Sequence, residues 1–495
     1  VAASRWTIGA IVALGSVSSL LSSTVVNVAV PDLQRVFHAS LTDVQWVVTA
    51  YLLGLSATIP LSGWATDRFG SKRVYLLTLG LFTMASVLCG LAWSIQSEIL
   101  FRVIQGLAGG MIMPVGMAIL MRMTPAQERG RMMSFLGVPM MLGPALGPTL
   151  GGAVIQLLHW QAIFWINLPA GLLALLLAWR KMTEGPAATP GRFDWVGCVT
   201  ASPGVALAIY GLTQTEASGW LSAPALAPLT AAAALLASFV AWELRQSRPL
   251  LDLRIFGSGS YRAAISVSVV VAASLFGPTF LVPVFLQQVQ GYSVLSTGLI
   301  VGAQGLGAAL VMPVSGWLTD RYGARPVVSF GVVSLLGATL LLTGVDVRTS
   351  TAQWVALLLT RGIGMGFTMM PAFSSAYSGL THDQIGRATA MSNTLQRIFS
   401  SLGIAVLATI LAARTAADLA SHTALSTAQV SRAFDETFWV AAGILLFALP
   451  AALALRRAVP PGGRPDRVPR ALAAAAWAAA TAGFAACLLF AFGAL

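Results

Sequence analysis

Long apolar runs separated by short polar punctuation dominate the chain. They fall at roughly 7–29, 44–65, 73–94, 98–121, 132–156, 161–179, 195–213, 223–242, 262–286, 296–318, 326–344, 352–375, 388–412 and 436–455. Each approaches or exceeds the about 20 residues that carry a helix across a bilayer. The pattern predicts an all-α membrane protein with fourteen spans. An outer-membrane barrel would instead show alternating segments of about ten residues. A further uncharged stretch, 471–495, is long enough to span but mostly alanine, so a fifteenth inserted helix and a surface helix both stay open.

Composition supports the bilayer as main solvent: 57% of residues are hydrophobic and only 9% charged, against roughly 25% charged in soluble domains. The net charge of +12 does not point to nucleic acid, because the basic residues sit in short loops between apolar runs. Placing the N-terminus inside puts 22 Lys/Arg in the even-numbered loops and both ends, four in the odd-numbered loops and three within spans. That bias sets orientation. The first run is long enough to span, so no leader peptide is expected. Cys89, Cys198 and Cys487 are far apart, with no disulfide or zinc spacing. No metal site and no cofactor are expected.

One sentence of punctuation is written twice. "PLSGWATDRFG" at 60–70 and "PVSGWLTDRYG" at 313–323 share eight of eleven residues, 253 positions apart. The first closes span 2 and the second span 10. Arg102 in "LFRVIQG" is likewise echoed by Arg361 in "LLTRGIGMG". A duplicated six-span unit with two inserted spans explains the eight-span offset, and places a substrate path between two pseudo-symmetric halves. The expected organisation is an N-terminal six-helix bundle (1–182), two inserted helices (183–255), a C-terminal bundle (256–457), a cytoplasmic linker (458–470) and the apolar tail (471–495).

An aspartate at a membrane edge can meet the positive N-terminal end of a neighbouring helix or an arginine of another loop. Contacts of that kind can hold a transporter closed on one side; the bland alternative is a solvated turn that fixes topology. In "GPALGPTLGG", Gly143, Gly147 and Gly151 form one bare helical stripe, extended by Gly152, that admits close helix contact. Pro144 and Pro148 remove backbone donors there. Ser16, Ser19, Ser23 and Asn27 share one face of span 1, a face that lines water or substrate unless its serines bond their own backbone. Methionines such as Met111, Met365 and Met369 suit either a promiscuous apolar pocket or core filling.

With "GWATDRFGSKR", "LFRVIQGLAGG", "GPALGPTLGG", "IFWINLPAG" and "STVVNVAVP" in place, the chain resembles the major facilitator superfamily, specifically the fourteen-helix drug:proton antiporters of the EmrB/QacA type. The likeness runs to about residue 457. It implies alternating-access export of small amphipathic molecules across the bacterial cytoplasmic membrane. It also implies a conformational-switch role for Asp67, Arg68 and Gly70, with Asp320, Arg321 and Gly323 as the second copy, and an antiporter hinge in span 5. The expected partners are a small amphipathic substrate, protons and the lipid bilayer. A monomer is expected, with an adaptor protein as the one protein partner considered.

The chain departs from that family at one place. Relatives carry an aspartate in span 1 where this sequence has Ser22. None of the seventeen acids lies mid-span; Asp43, Glu98, Asp435 and Glu436 lie near outer span ends. Arg102 therefore needs Glu98, a substrate anion or water, unless Ser22 is a tolerated variation and backbone carbonyls satisfy it. The candidate cavity and coupling residues are Ser16, Ser19, Ser22, Ser23, Asn27, Glu98, Arg102, Gln304, Arg361, Asn393 and Arg397. A cavity without the acid favours neutral, zwitterionic or anionic amphiphiles, and a dedicated metabolite or lipid exporter is the alternative. No Walker lysine, HExxH or GxSxG is present, so neither an ATP-driven pump nor a membrane enzyme is expected.

Overall fold

The structure is a computed structural model that describes residues 4–184, 194–246, 249–378, 380–421 and 427–455. The linker 458–470 and the tail 471–495 lie outside those residues, as do the side chains of Asn27, Pro144 and Pro148.

Every regular element among the described residues is helical. The first stretch of the chain forms α1 (Arg5–Thr24), α2 (Val30–Phe37), α3 (Leu41–Thr58), α4 (Ser62–Phe69), α5 (Ser71–Gly90), α6 (Ile95–Met123), α7 (Arg129–Leu157), α8 (Ala162–Trp165) and α9 (Asn167–Lys181). Then come α10 (Trp195–Ser218), α11 (Ala223–Glu243), α12 (Gly259–Gln288), α13 (Val294–Tyr322), α14 (Ala324–Leu341), α15 (Thr351–Ala376), α16 (His382–Ser421), α17 (Thr427–Leu446) and α18 (Ala448–Ala454). Among the described residues, thirteen helical segments are long and apolar enough to cross a membrane.

Several predicted spans are broken where proline removes a donor. Span 2 becomes α3 and α4 around a 3₁₀ turn at Ile59–Leu61, which holds Pro60. Span 1 ends in a 3₁₀ turn at Val25–Ala29, and Pro31 sits in the first turn of α2. The last run divides at Phe447, three residues before Pro450.

The helices cluster into two compact units. The first holds Val1–Thr124, Leu146–Gly257 and Gly379–Ser401; the second holds Pro125–Ala145, Ser258–Ser378 and Leu402–Leu495. The division cuts α7 between Ala145 and Leu146, and α16 between Ser401 and Leu402. Within the first unit, α3 packs along α6, α5 along α6, and α10 along both α11 and α3. Within the second, α15 packs against α13, α14 and α12. Glycine makes the tightest of these contacts: a Cβ at Gly106 would strike the Tyr51 carbonyl, and one at Gly362 the Gln304 carbonyl. Substituting either would force two helices apart.

Candidate functional site

The two buried arginines organise one centre in each unit. Arg102 lies two turns into α6 and is fully buried. It donates through Nε to the Val47 carbonyl at 3.0 Å, and through Nη1 to Gln105 Oε1 at 2.7 Å and Ser22 Oγ at 3.2 Å. Its Nη2 donates to the Ser22 carbonyl at 3.2 Å. The guanidinium carbon lies 4.2 Å from the centre of the Tyr51 ring, an arrangement in which the ring quadrupole offsets part of the desolvation. Tyr51 in turn donates to the Ser19 carbonyl at 2.8 Å. Three helices, α1, α3 and α6, are thereby pinned around one charge.

Glu98 is not among these partners. It lies one turn before Arg102 on α6, it is 0% exposed, and neither carboxyl oxygen has a hydrogen-bond partner among the described residues. Of the partners left open for Arg102, the hydrogen bonds go to backbone carbonyls and Ser22 rather than to Glu98. The cause is geometric: the guanidinium turns toward α1 and α3, where carbonyls and the Ser22 hydroxyl supply acceptors. Gln105, three residues on along the same helix face, is the partner that spacing could have indicated.

Arg361 on α15 is held in a similar way, except that its Nε, paired in Arg102, has no hydrogen-bond partner among the described residues. It donates through Nη1 to Gln304 Oε1 at 3.0 Å, and through Nη2 to the carbonyls of Ser274 and Leu275 at 3.3 and 3.2 Å. Gln304 thus holds the arginine. Asn393 donates to the Thr389 carbonyl of its own helix at 2.8 Å. Arg397, one turn further on α16, is partly buried and within electrostatic reach of Tyr51.

On the predicted polar face of span 1, Ser16 and Ser19 are buried, while Ser23 donates to the Leu20 carbonyl at 2.6 Å. In α7, Gly143, Gly147 and Gly151 are buried and Gly152 is half-buried. A Cβ at Gly147 would meet the Thr24 side chain, and one at Gly151 the Val25 side chain, so this glycine stripe admits the end of α1.

The duplicated motif is helical almost to its end. Asp67 and Arg68 lie in the last turn of α4, and Asp320 and Arg321 in the last turn of α13. The turn itself is one residue. Gly70 (φ 89°) and Gly323 (φ 82°) end one helix and cap the next. Their amides donate to Thr66 and Thr319 carbonyls at 3.1 and 2.9 Å. Positive φ is why both copies need glycine.

The aspartates, however, have different partners. Asp67 meets Arg122 Nη2 at 3.2 Å and Arg387 Nη2 at 3.7 Å. Asp320 accepts from the backbone amides of Gly130 at 2.7 Å and Arg131 at 3.0 Å, in the first turn of α7. Arg321 stacks near Trp317 and Tyr322, and Arg68 is exposed. Arg122, Arg387, Gln105 and Tyr51 are participants that sequence reasoning missed. Only Gln105 carried a local spacing signal.

The sequence matches the Major Facilitator Superfamily over residues 12–404. The chain belongs to that superfamily. It is similar to the "Multidrug resistance protein B homolog" of Mycobacterium tuberculosis, with 37% identity over 404 residues covering 80% of this chain and 74% of that protein. It is also similar to the "Lincomycin resistance protein LmrB" of Listeria monocytogenes, with 28% identity over 394 residues, covering 80% of this chain and 84% of that protein. Among solved structures, the human organic anion transporter MFSD10 shares the fold at a TM-score of 0.63 and 18% identity, covering 90% of this chain and 100% of that one. The proton:xylose symporter XylE does so at 0.60 and 16%, covering 90% and 96%. This superfamily member is a multi-pass membrane transporter, and not an enzyme.

Proposed function

We propose that this chain is a fourteen-span exporter of amphipathic small molecules in the cytoplasmic membrane. It has its N-terminus inside and works by alternating access with proton antiport. The drug-resistance names of its relatives support the substrate class, and the Lys/Arg bias supports the orientation. The observation that carries the reading is the pair of aspartate contacts. In the first unit Asp67 meets Arg387 in the opening turns of α16; in the second Asp320 caps α7. Each held helix continues into the other unit. Releasing an aspartate frees such a helix to move, and this is the switching role we assign to both motif copies.

Coupling is assigned to Glu98. A buried carboxylate with no N–H or O–H donor among the described residues and only a weak thiol, Cys89, beside it is costly, and binding a proton removes the charge. Arg102 is satisfied by Ser22, Gln105 and carbonyls, so it leaves this carboxyl to the proton. A transport path that lacks the span-1 acid favours neutral, zwitterionic or anionic amphiphiles. The second reading, a dedicated metabolite or lipid exporter, is favoured by Ser22 itself, which serves Arg102 rather than a cation.

The test uses proteoliposomes. Glu98→Gln is expected to abolish transport driven by a pH gradient while sparing substrate exchange. Unchanged pH-driven transport removes Glu98 from coupling. Efficient efflux of ethidium-like dications by the unmodified protein overturns the charge argument.

A further inference from the structure

Beside the first motif copy lies a concave recess of about 470 Å³, within the size range of small-molecule sites. Its walls are Leu61, Trp64 and Phe69 at α4, Val74 and Leu77 on α5, and Met111 on α6. Thr78, the one hydroxyl in the lining, donates back to the Val74 carbonyl at 2.9 Å, so it offers the recess no donor. Phe69 and Leu77 are more than half exposed. On a spanning helix, such residues face hydrocarbon.

One charged residue, Arg73, lines this recess. Its side chain is 81% exposed, and its ion pair with Glu184 is long, at 3.9 Å. Glu184 is itself engaged by the Lys72 amide at 3.1 Å. The other nearby carboxylate, Asp67, is held by Arg122 and Arg387. Arg73 stands in the first turn of α5, where the apolar span begins. A guanidinium at a span boundary, beside an apolar recess lined by exposed side chains, matches an anionic headgroup next to an acyl chain.

We propose that this recess binds an anionic phospholipid of the adjoining leaflet, with one acyl chain against Leu77 and Met111 and the headgroup phosphate on Arg73. The site does not depend on the substrate or the coupling ion. Apolar walls alone accept any acyl chain; Arg73 supplies the headgroup preference. One basic side chain near a lipid surface contributes about 1 kcal/mol, an occupancy preference of about fivefold.

Photo-crosslinking of the full chain tests this. The protein is placed in phosphatidylcholine vesicles containing a trace of phosphatidylglycerol or phosphatidylcholine with an acyl-chain diazirine. Adducts are mapped by peptide mass spectrometry. The phosphatidylglycerol probe should label residues 61–78 about fivefold more than the phosphatidylcholine probe. Arg73→Gln should bring the two probes level. Leu77→Trp, which fills the recess, should suppress both, whereas Leu173→Trp, on the exposed face of α9, should change neither. Equal labelling by the two probes in the unmodified protein overturns the proposal. So does an unchanged ratio in Arg73→Gln, a variant at an exposed side chain that keeps the test decisive should Leu77→Trp misfold. Displacement by millimolar glycerol phosphate would show a soluble-anion site, and overturn the lipid assignment. Transport in the same vesicles is read separately, so a failed export reading leaves the labelling result standing.

Discussion

Two copies of one eleven-residue sentence have been put to different electrostatic use. At the first, Asp67 is 10% exposed and faces guanidinium groups, with Arg122 only 16% exposed. At the second, Asp320 is 6% exposed and faces two backbone amides, with the Arg131 side chain 48% exposed at 3.7 Å. The backbone is the same in both: helix, positive-φ glycine, helix. The partners differ because they come from elsewhere in the chain. The first copy needs a negative charge; the second needs acceptor oxygens at a helix N-terminus, which a charge improves but does not define. The lesson is that an internal repeat preserves a local conformation more faithfully than it preserves the interaction built on it.

The largest expected effect separates charge from acceptor. Asp67→Asn removes the charge facing Arg122 and Arg387, a charge-assisted contact worth about 1.5–3 kcal/mol. That is enough to shift a two-state population by about tenfold or more, so transport should fall by that order while expression holds. Asp320→Asn keeps one acceptor oxygen for one of the two α7 amides and turns an NH2 group toward the other, so it should lose transport, but less than Asp67→Asn, because a charge at the helix N-terminus improves this contact without defining it. Asp320→Ala leaves both amides without their acceptor and should lose about 1–3 kcal/mol. Initial rates in proteoliposomes, normalised to reconstituted protein, measure this. Equal losses in the two Asn variants would erase the distinction. Wild-type rates in both would end the switching role.

The shared part of the comparison can be broken next. Gly70→Ala and Gly323→Ala each place a Cβ at φ above 80° with extended ψ, a region that costs about 1–3 kcal/mol for non-glycine residues. Both should lower thermal stability in detergent. At Gly70 the added methyl also meets the Glu184 carboxylate, so Glu184→Ala should recover part of the loss there. A Gly323→Ala protein as stable as the unmodified one would show that the second turn is not strained.

Much of this arrangement was legible from the chain. The spans follow from apolar runs near the length of a bilayer, and the turns from Asp-Arg-aromatic-Gly at their ends. Pro60 broke a span, because a donor was missing where a straight helix was expected. Long-range partners were not legible. Arg387 lies 320 positions from Asp67, and no local pattern connects them. For Arg102 the sequence left Glu98, a substrate anion, water and backbone carbonyls open. The guanidinium looks across to α1 and α3, because carbonyls at a helix crossing are acceptors that no side-chain pattern records. Ser22 read as a missing acid, yet its hydroxyl and carbonyl both accept from Arg102.

The smallest effect concerns the helix start beyond Gly70. At the start of α5, Glu184 reaches across from beyond α9 to accept from the Lys72 amide at 3.1 Å. Glu184 therefore supplies the first copy with an external cap. Its side chain is 35% exposed and its contact with Arg73 is long, so the ion pair itself contributes within about 0–1 kcal/mol. The amide contact resembles a helix cap, worth about 0.5–2 kcal/mol when removed, and exposure puts it at the low end. Glu184→Gln keeps an acceptor oxygen and should leave thermal stability unchanged. Glu184→Ala should lower it slightly, and raising salt should not remove the difference, because the surviving term is a hydrogen bond to backbone rather than a screened ion pair. Should Gln and Ala prove equally destabilising, the charge on Arg73 is what matters at that turn. The first copy would then be electrostatic on both sides of its glycine.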